Sequence, residues 1–155
     1  MIQTGSQVPT FNVPNHSREM VSSDALKGKK YVLAFFPAAF TSVCEKELCT
    51  FRDALAKFND MQAQVFGVSV DAPFANAAFA QKTSLNFPIL SDYSRQMVQG
   101  FGIAHDDFAG MAGLTVAKRA VFVVNGEGTV TYAWVAPNPG VEPNYAEVQA
   151  AVANS

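Results

Sequence analysis

Two apolar runs, YVLAFF at 31–36 and QVFGVSV at 64–70, leave this chain few folds to choose from. Each run is continuous rather than alternating, the pattern of a strand buried on both faces. Between them, from about Ser42 to Asn59, Val43, Leu48, Phe51, Leu55 and Phe58 recur at helical spacing and form one apolar stripe. Strand, helix and strand make a βαβ unit, whose crossover is expected to be right-handed.

The rest of the chain extends that unit. Asp71, Ala72 and Pro73 open an alanine-rich helix reaching about Thr83, with proline tolerated in its first turn. NFPILSD (86–92) reads as a short strand, and Ser94 to about Gly100 as a short helix ended by glycine. After the loop HDDFAGMAGLTV (105–116), RAVFVV (119–124) and TVTYAWV (129–135) flank NGEG, whose asparagine-glycine pair signals a hairpin. NYAEVQAAVA (144–153) forms a closing helix with Asn144 as its N-cap. Ahead of the first long strand lies an N-terminal extension, with a small hairpin expected around PNHSRE and a short helix near Ser23 to Lys27. The fold class is therefore α/β, a central mixed sheet flanked by helices.

A length of 155 residues, with no repeat, low-complexity tract or linker, predicts a single domain over 1–155. Charged residues make up 15% and the formal net charge is −2, which argues against a nucleic-acid partner. The start MIQTGSQVPTFNV lacks the basic and apolar regions of a signal peptide, and no apolar run approaches the roughly 18 residues that span a bilayer. A cytoplasmic protein without membrane contact is expected.

In that compartment, structural disulfides are rare, so two thiols five residues apart carry information. Cys44 falls where strand and proline turn give way to helix, and the unpaired N–H groups and dipole of a helix start favour the thiolate. Thr41 offers a hydroxyl in the same turn, and Pro37 shapes the turn and shields the sulfur. On an ideal helix, residues 44 and 49 stand about 8–9 Å apart at Cα. A disulfide needs less than about 7 Å, so the two can bridge only if the first turns unwind.

PAAFTSVC (37–44) resembles the P-x-x-x-T-x-x-C signature of the peroxiredoxins, thiol peroxidases with a thioredoxin-like fold. The likeness extends over nearly the whole chain, including VPTFNV, the SVD strand end and FPILSD. It implies that Cys44 is the peroxidatic nucleophile, that Thr41 and Pro37 line the peroxide pocket, and that Arg119 completes it. Glu47 is similar to a glutamate of the subgroup containing bacterioferritin comigratory protein and alkyl hydroperoxide reductase type E. The C-x4-C spacing resembles atypical two-cysteine members, which makes Cys49 the candidate resolving thiol, with thioredoxin or another thiol as reductant. A Cys49 that points into the core instead implies a one-cysteine enzyme resolved by an external thiol. Peroxide is the implied substrate and no cofactor is implied; the resembled subgroup includes monomers and dimers, and the sequence leaves both open, with exposed aromatic residues near the loop leaning toward a homodimer.

The blander readings differ by residue. Glu47 is favoured near a helix start by the dipole alone. Phe40 fits a core filler, the pocket mouth or a dimer contact, and Trp134 fits packing. His16 and His105 lack paired ligand spacing, so no metal site is expected. Gly126 and Gly128 belong to a turn rather than a nucleotide loop. Two rival functions remain: a thiol-disulfide oxidoreductase, which normally carries C-x-x-C, and a non-catalytic binding domain on the same fold.

Overall fold

The structure, a computed structural model of residues 1–155, describes every residue except Cys44. Strands β1 (Asn12–Pro14) and β2 (Met20–Ser22) pair antiparallel as the small N-terminal hairpin expected around PNHSRE. The chain then enters β3 (Lys30–Phe35), α1 (Ser42–Asp60), β4 (Ala63–Ser69), α2 (Pro73–Lys82), β5 (Ile89–Ser91) and α3 (Gln96–Gly100). Short strands β6 (Ala104–His105) and β7 (Val116–Ala117) follow, then β8 (Ala120–Val124), β9 (Val130–Val135) and α4 (Tyr145–Ala153).

Five strands form the main sheet in the order β5-β4-β3-β8-β9, with β3 parallel to β4 and antiparallel to β8. The continuous apolar run of β3 follows from this central place, since neighbours on both edges and layers on both faces leave it no solvent side. Alternate residues feed two cores. Tyr31, Leu33 and Phe35 pack with Phe11, Val98 and Phe101 on the α3 side. Val32, Ala34 and Phe36 pack with Leu48, Phe51, Phe79 and Val148, from α1, α2 and α4, on the other.

The helical stripe lies where its spacing put it: Leu48, Phe51 and Phe58 are buried, while Val43 and Leu55 are half-buried at its margin. Asn144 caps α4 by accepting from the Glu147 N–H at 3.1 Å.

Two local expectations are corrected. Residues 23–27 form successive turns, not a helix, because the Ser23 hydroxyl accepts from Phe11 N–H and Gly28 is tied to Gly126 across the molecule. The segment 105–116 is not wholly loop, because its ends pair as the β6–β7 ladder. The NGEG hairpin is present, yet its left-handed residue is Gly128 at φ 77° rather than Gly126, while the Asn125 side chain accepts from the N–H groups of Glu127 and Thr129.

Candidate active site

Pro37, Thr41 and Arg119 gather near the C-terminal end of β3. Pairing of Phe35 with Ala120 brings the residue before β8, Arg119, level with the start of the 37–41 loop. Pro37 is buried at the strand's exit. Thr41 is half-buried and stands at the N-cap of α1 with extended backbone, φ −91° and ψ 146°. Its hydroxyl donates to the Ala38 carbonyl at 3.3 Å and makes no capping bond among the described residues. Cys44 falls within the span of α1 but outside the described residues, so the expected thiolate geometry has no counterpart here.

One turn on from Cys44, Glu47 points inward and is fully buried. The Arg119 guanidinium meets it, donating from Nη1 to Oε1 at 3.0 Å, and holds the Pro139 carbonyl through Nε at 3.1 Å. Arg119 is itself only 2% exposed, so a surface role is excluded for it. Burial pushes the Glu47 carboxyl up to about 8, against the lowering effect of the adjacent guanidinium. The second oxygen of Glu47 has no hydrogen-bond partner among the described residues. Arg119 also borders a cleft of about 440 Å³ between Lys118 and the Ala136–Pro139 turn.

A second charged cluster centres on Glu142. Lys46 reaches Glu142 at 3.1 Å, and the Tyr145 hydroxyl donates to the same carboxylate at 2.7 Å. Partial burial alone would raise the Glu142 carboxyl, and the hydrogen bonds from Tyr145 and Lys46 outweigh it and lower the pKa. Cys49 carries a free thiol and is half-buried two residues past Glu47. Beside it on α1, Arg52 donates to the Thr83 carbonyl at the end of α2. Phe40, at φ 69°, is 47% exposed and sets its ring edge-on to Phe79 of α2 at 5.3 Å. It is thus neither a sealed core filler nor a free surface residue.

Sequence reasoning named Glu47 and Arg119 separately but missed that they pair. It missed Asp71, whose carboxylate accepts from the Ala39 N–H at 2.9 Å. The only trace of that role in the sequence was the SVD strand end itself.

Known proteins resemble this chain in sequence and in fold. A protein of Coxiella burnetii named as a bcp peroxiredoxin is 34% identical over 147 residues, covering 95% of this chain and 96% of its own length. A chloroplastic peroxiredoxin Q of Triticum aestivum is 34% identical over 131 residues, covering 84% of this chain and 58% of that longer protein. The crystal structure of the peroxidoxin BcpB of Mycobacterium tuberculosis superposes with a TM-score of 0.86 at 27% identity, covering 98% of this chain and 97% of that one. The mixed sheet flanked by helices is thus the thioredoxin-like fold that the motif implied. Residues 4–133 match the AhpC/TSA family, a span that takes in both cysteines, the 37–41 loop and the Glu47–Arg119 pair, and the chain belongs to that family.

Proposed function

We propose that this thiol peroxidase reduces hydrogen peroxide and organic hydroperoxides with Cys44 as attacking thiolate and Cys49 as resolving thiol. The observation that carries the reading is Arg119, a buried cation held 3.0 Å from Glu47, one helical turn beyond Cys44. A desolvated guanidinium beside the opening of a helix favours an anionic sulfur and the charge that develops on a departing oxygen.

In the first step the Cys44 thiolate attacks one peroxide oxygen. The S–O bond forms as the O–O bond breaks, and the leaving oxygen takes a proton and departs as water or alcohol. Arg119 and the Thr41 hydroxyl orient the peroxide, Pro37 limits water at the sulfur, and Glu47 positions the guanidinium. Cys49 sulfur then displaces the sulfenic oxygen, which leaves as water, and a disulfide forms. A dithiol such as thioredoxin, or another thiol reductant, returns two electrons and two protons.

The same reading has the protein act as one domain over residues 1–155 in the cytoplasm, without metal or cofactor. No helix among the described residues is long and apolar enough to cross a membrane. The exposed Phe40 ring beside the loop supports a homodimer.

The test is the intact mass of reduced protein after one equivalent of peroxide. Wild type should lose two hydrogens, Cys44→Ser should stay unchanged, and Cys49→Ser should gain oxygen. A wild-type protein that gains oxygen without the disulfide removes Cys49 from its role, and one inert to peroxide overturns the reading.

A further inference from the structure

We infer that Asp71 is a positioning residue for the peroxide pocket, holding the loop between Pro37 and Thr41 in register with the start of α1. The inference rests on the reading of Cys44 as the attacking thiol. Asp71 follows β4, the parallel neighbour of β3, so the exits of the two strands lie side by side. Its Oδ2 accepts from the Ala39 N–H at 2.9 Å and from the Ser69 hydroxyl at 2.8 Å. No Lys or Arg pairs with this carboxylate among the described residues. Its charge is therefore directed at a backbone donor in the loop.

Asp71 is braced from behind. Asn76, on α2, donates to the Ser91 hydroxyl on β5 at 2.9 Å and approaches the Asp71 carbonyl at 3.4 Å. Ser69, Asn76 and Ser91 are all fully buried. Polar side chains are costly in such a core unless mutually satisfied, and here they form a continuous chain across β4, α2 and β5 that ends at Asp71. The loop is gripped a second time one residue later, where Phe40 takes a positive φ of 69° and lays its ring on Phe79. Such a backbone conformation persists in a bulky residue only where the surroundings impose it. Thr41, the next residue, stands at the N-cap position of α1, so both grips act next to the hydroxyl that would meet the peroxide.

Release of the Ala39 N–H should let the loop drift without changing the charge at Arg119. A misplacement of about 1 Å in a positioning element costs on the order of 100-fold in rate. The experiment compares two single-turnover rates in wild type, Asp71→Ala and Asp71→Asn: oxidation by hydrogen peroxide, and alkylation by iodoacetamide, which needs the thiolate but no peroxide geometry. In Asp71→Ala, oxidation should slow by about 10- to 100-fold while alkylation changes less than about threefold. Asparagine keeps an oxygen acceptor and should recover oxidation to within about threefold of wild type. Equal oxidation rates in wild type and Asp71→Ala overturn the inference, as does a parallel change in both reactions, which marks general loosening. Should the alanine variant fail to fold, Ser69→Ala removes the brace instead and should show the same selective loss in weaker form; an unselective or absent loss there also overturns the inference. Failure of wild type itself to react with peroxide points to the reading of Cys44, not to Asp71.

Discussion

Arg119 Nη1 and Glu47 Oε1 lie 3.0 Å apart, 72 residues from each other in sequence, with side chains 1% and 0% exposed. Among its contacts, the guanidinium donates from Nη1 to Glu47 and from Nε to the Pro139 carbonyl, which fixes the plane of its fork. A lysine has one point of charge and cannot reproduce that orientation. Arg119→Ala should slow oxidation by peroxide about 100- to 1000-fold, the usual cost of losing one preorganised donor. Arg119→Lys should recover only part of it. Stopped-flow oxidation checks this, and a lysine variant as fast as wild type would show that charge alone suffices.

The buried Glu47 carboxyl predicts a pH effect on stability. Its folded-state pKa is raised by burial from 4.5 to about 8. Between those values the folded state binds more protons than the unfolded state, so stability is greatest below the lower value and is lost as pH rises through the higher one. Glu47→Gln lacks this titration. Urea unfolding from pH 5 to 9 should show wild type losing a few kcal/mol relative to the glutamine variant. A wild type that gains on the variant as pH rises would mean that the ionised pair outweighs its desolvation.

Arg52 ties the helix bearing both cysteines to the end of α2 through the Thr83 carbonyl. Because disulfide formation needs α1 to unwind, loss of this tie should favour it. Arg52→Ala should destabilise the fold by about 1 kcal/mol and speed conversion of sulfenate to disulfide several-fold. Rapid-quench mass analysis reads the conversion, and a slower disulfide step would show that Arg52 assists Cys49 directly.

Leu48, between Glu47 and Cys49, is fully buried with Phe36 and Ile89 in the core above Gly67. Leu48→Ala leaves a cavity beneath α1 and should cost about 2–5 kcal/mol. Thermal or urea unfolding measures it, and a loss under about 1 kcal/mol would imply that α1 settles into the space.

The legible parts of the fold were those fixed by patterns within one segment. β3, β4 and α1 were read nearly to the residue because continuous burial and a helical stripe are local consequences of a central position. Ser23 to Lys27 misled because its helix-like composition is overridden by a bond from Phe11 and by the tie at Gly28. The β6–β7 ladder was missed because two-residue strands leave no periodicity. At the site, Thr41 and Pro37 were named from the motif that also carries Cys44. The inward turn of Glu47 did not, since a glutamate early in a helix is ordinary and only the strand register that delivers Arg119 makes it a buried partner. The Asp71 to Ala39 bond was equally hidden, joining residues 32 apart through neighbouring strand exits.

Glu47 also sits between the two cysteines in the chain. Unravelling of α1 that halts at this pinned glutamate would release the three residues from Cys44 to Lys46, with a stretched reach of about 10 Å. That exceeds the roughly 8–9 Å separating the cysteine Cα positions on an intact helix. The ion pair would then serve as a hinge pin. In the proposed cycle the leading turn would peel away and fold back upon the helix, and the sulfur bridge would close with the core still shut.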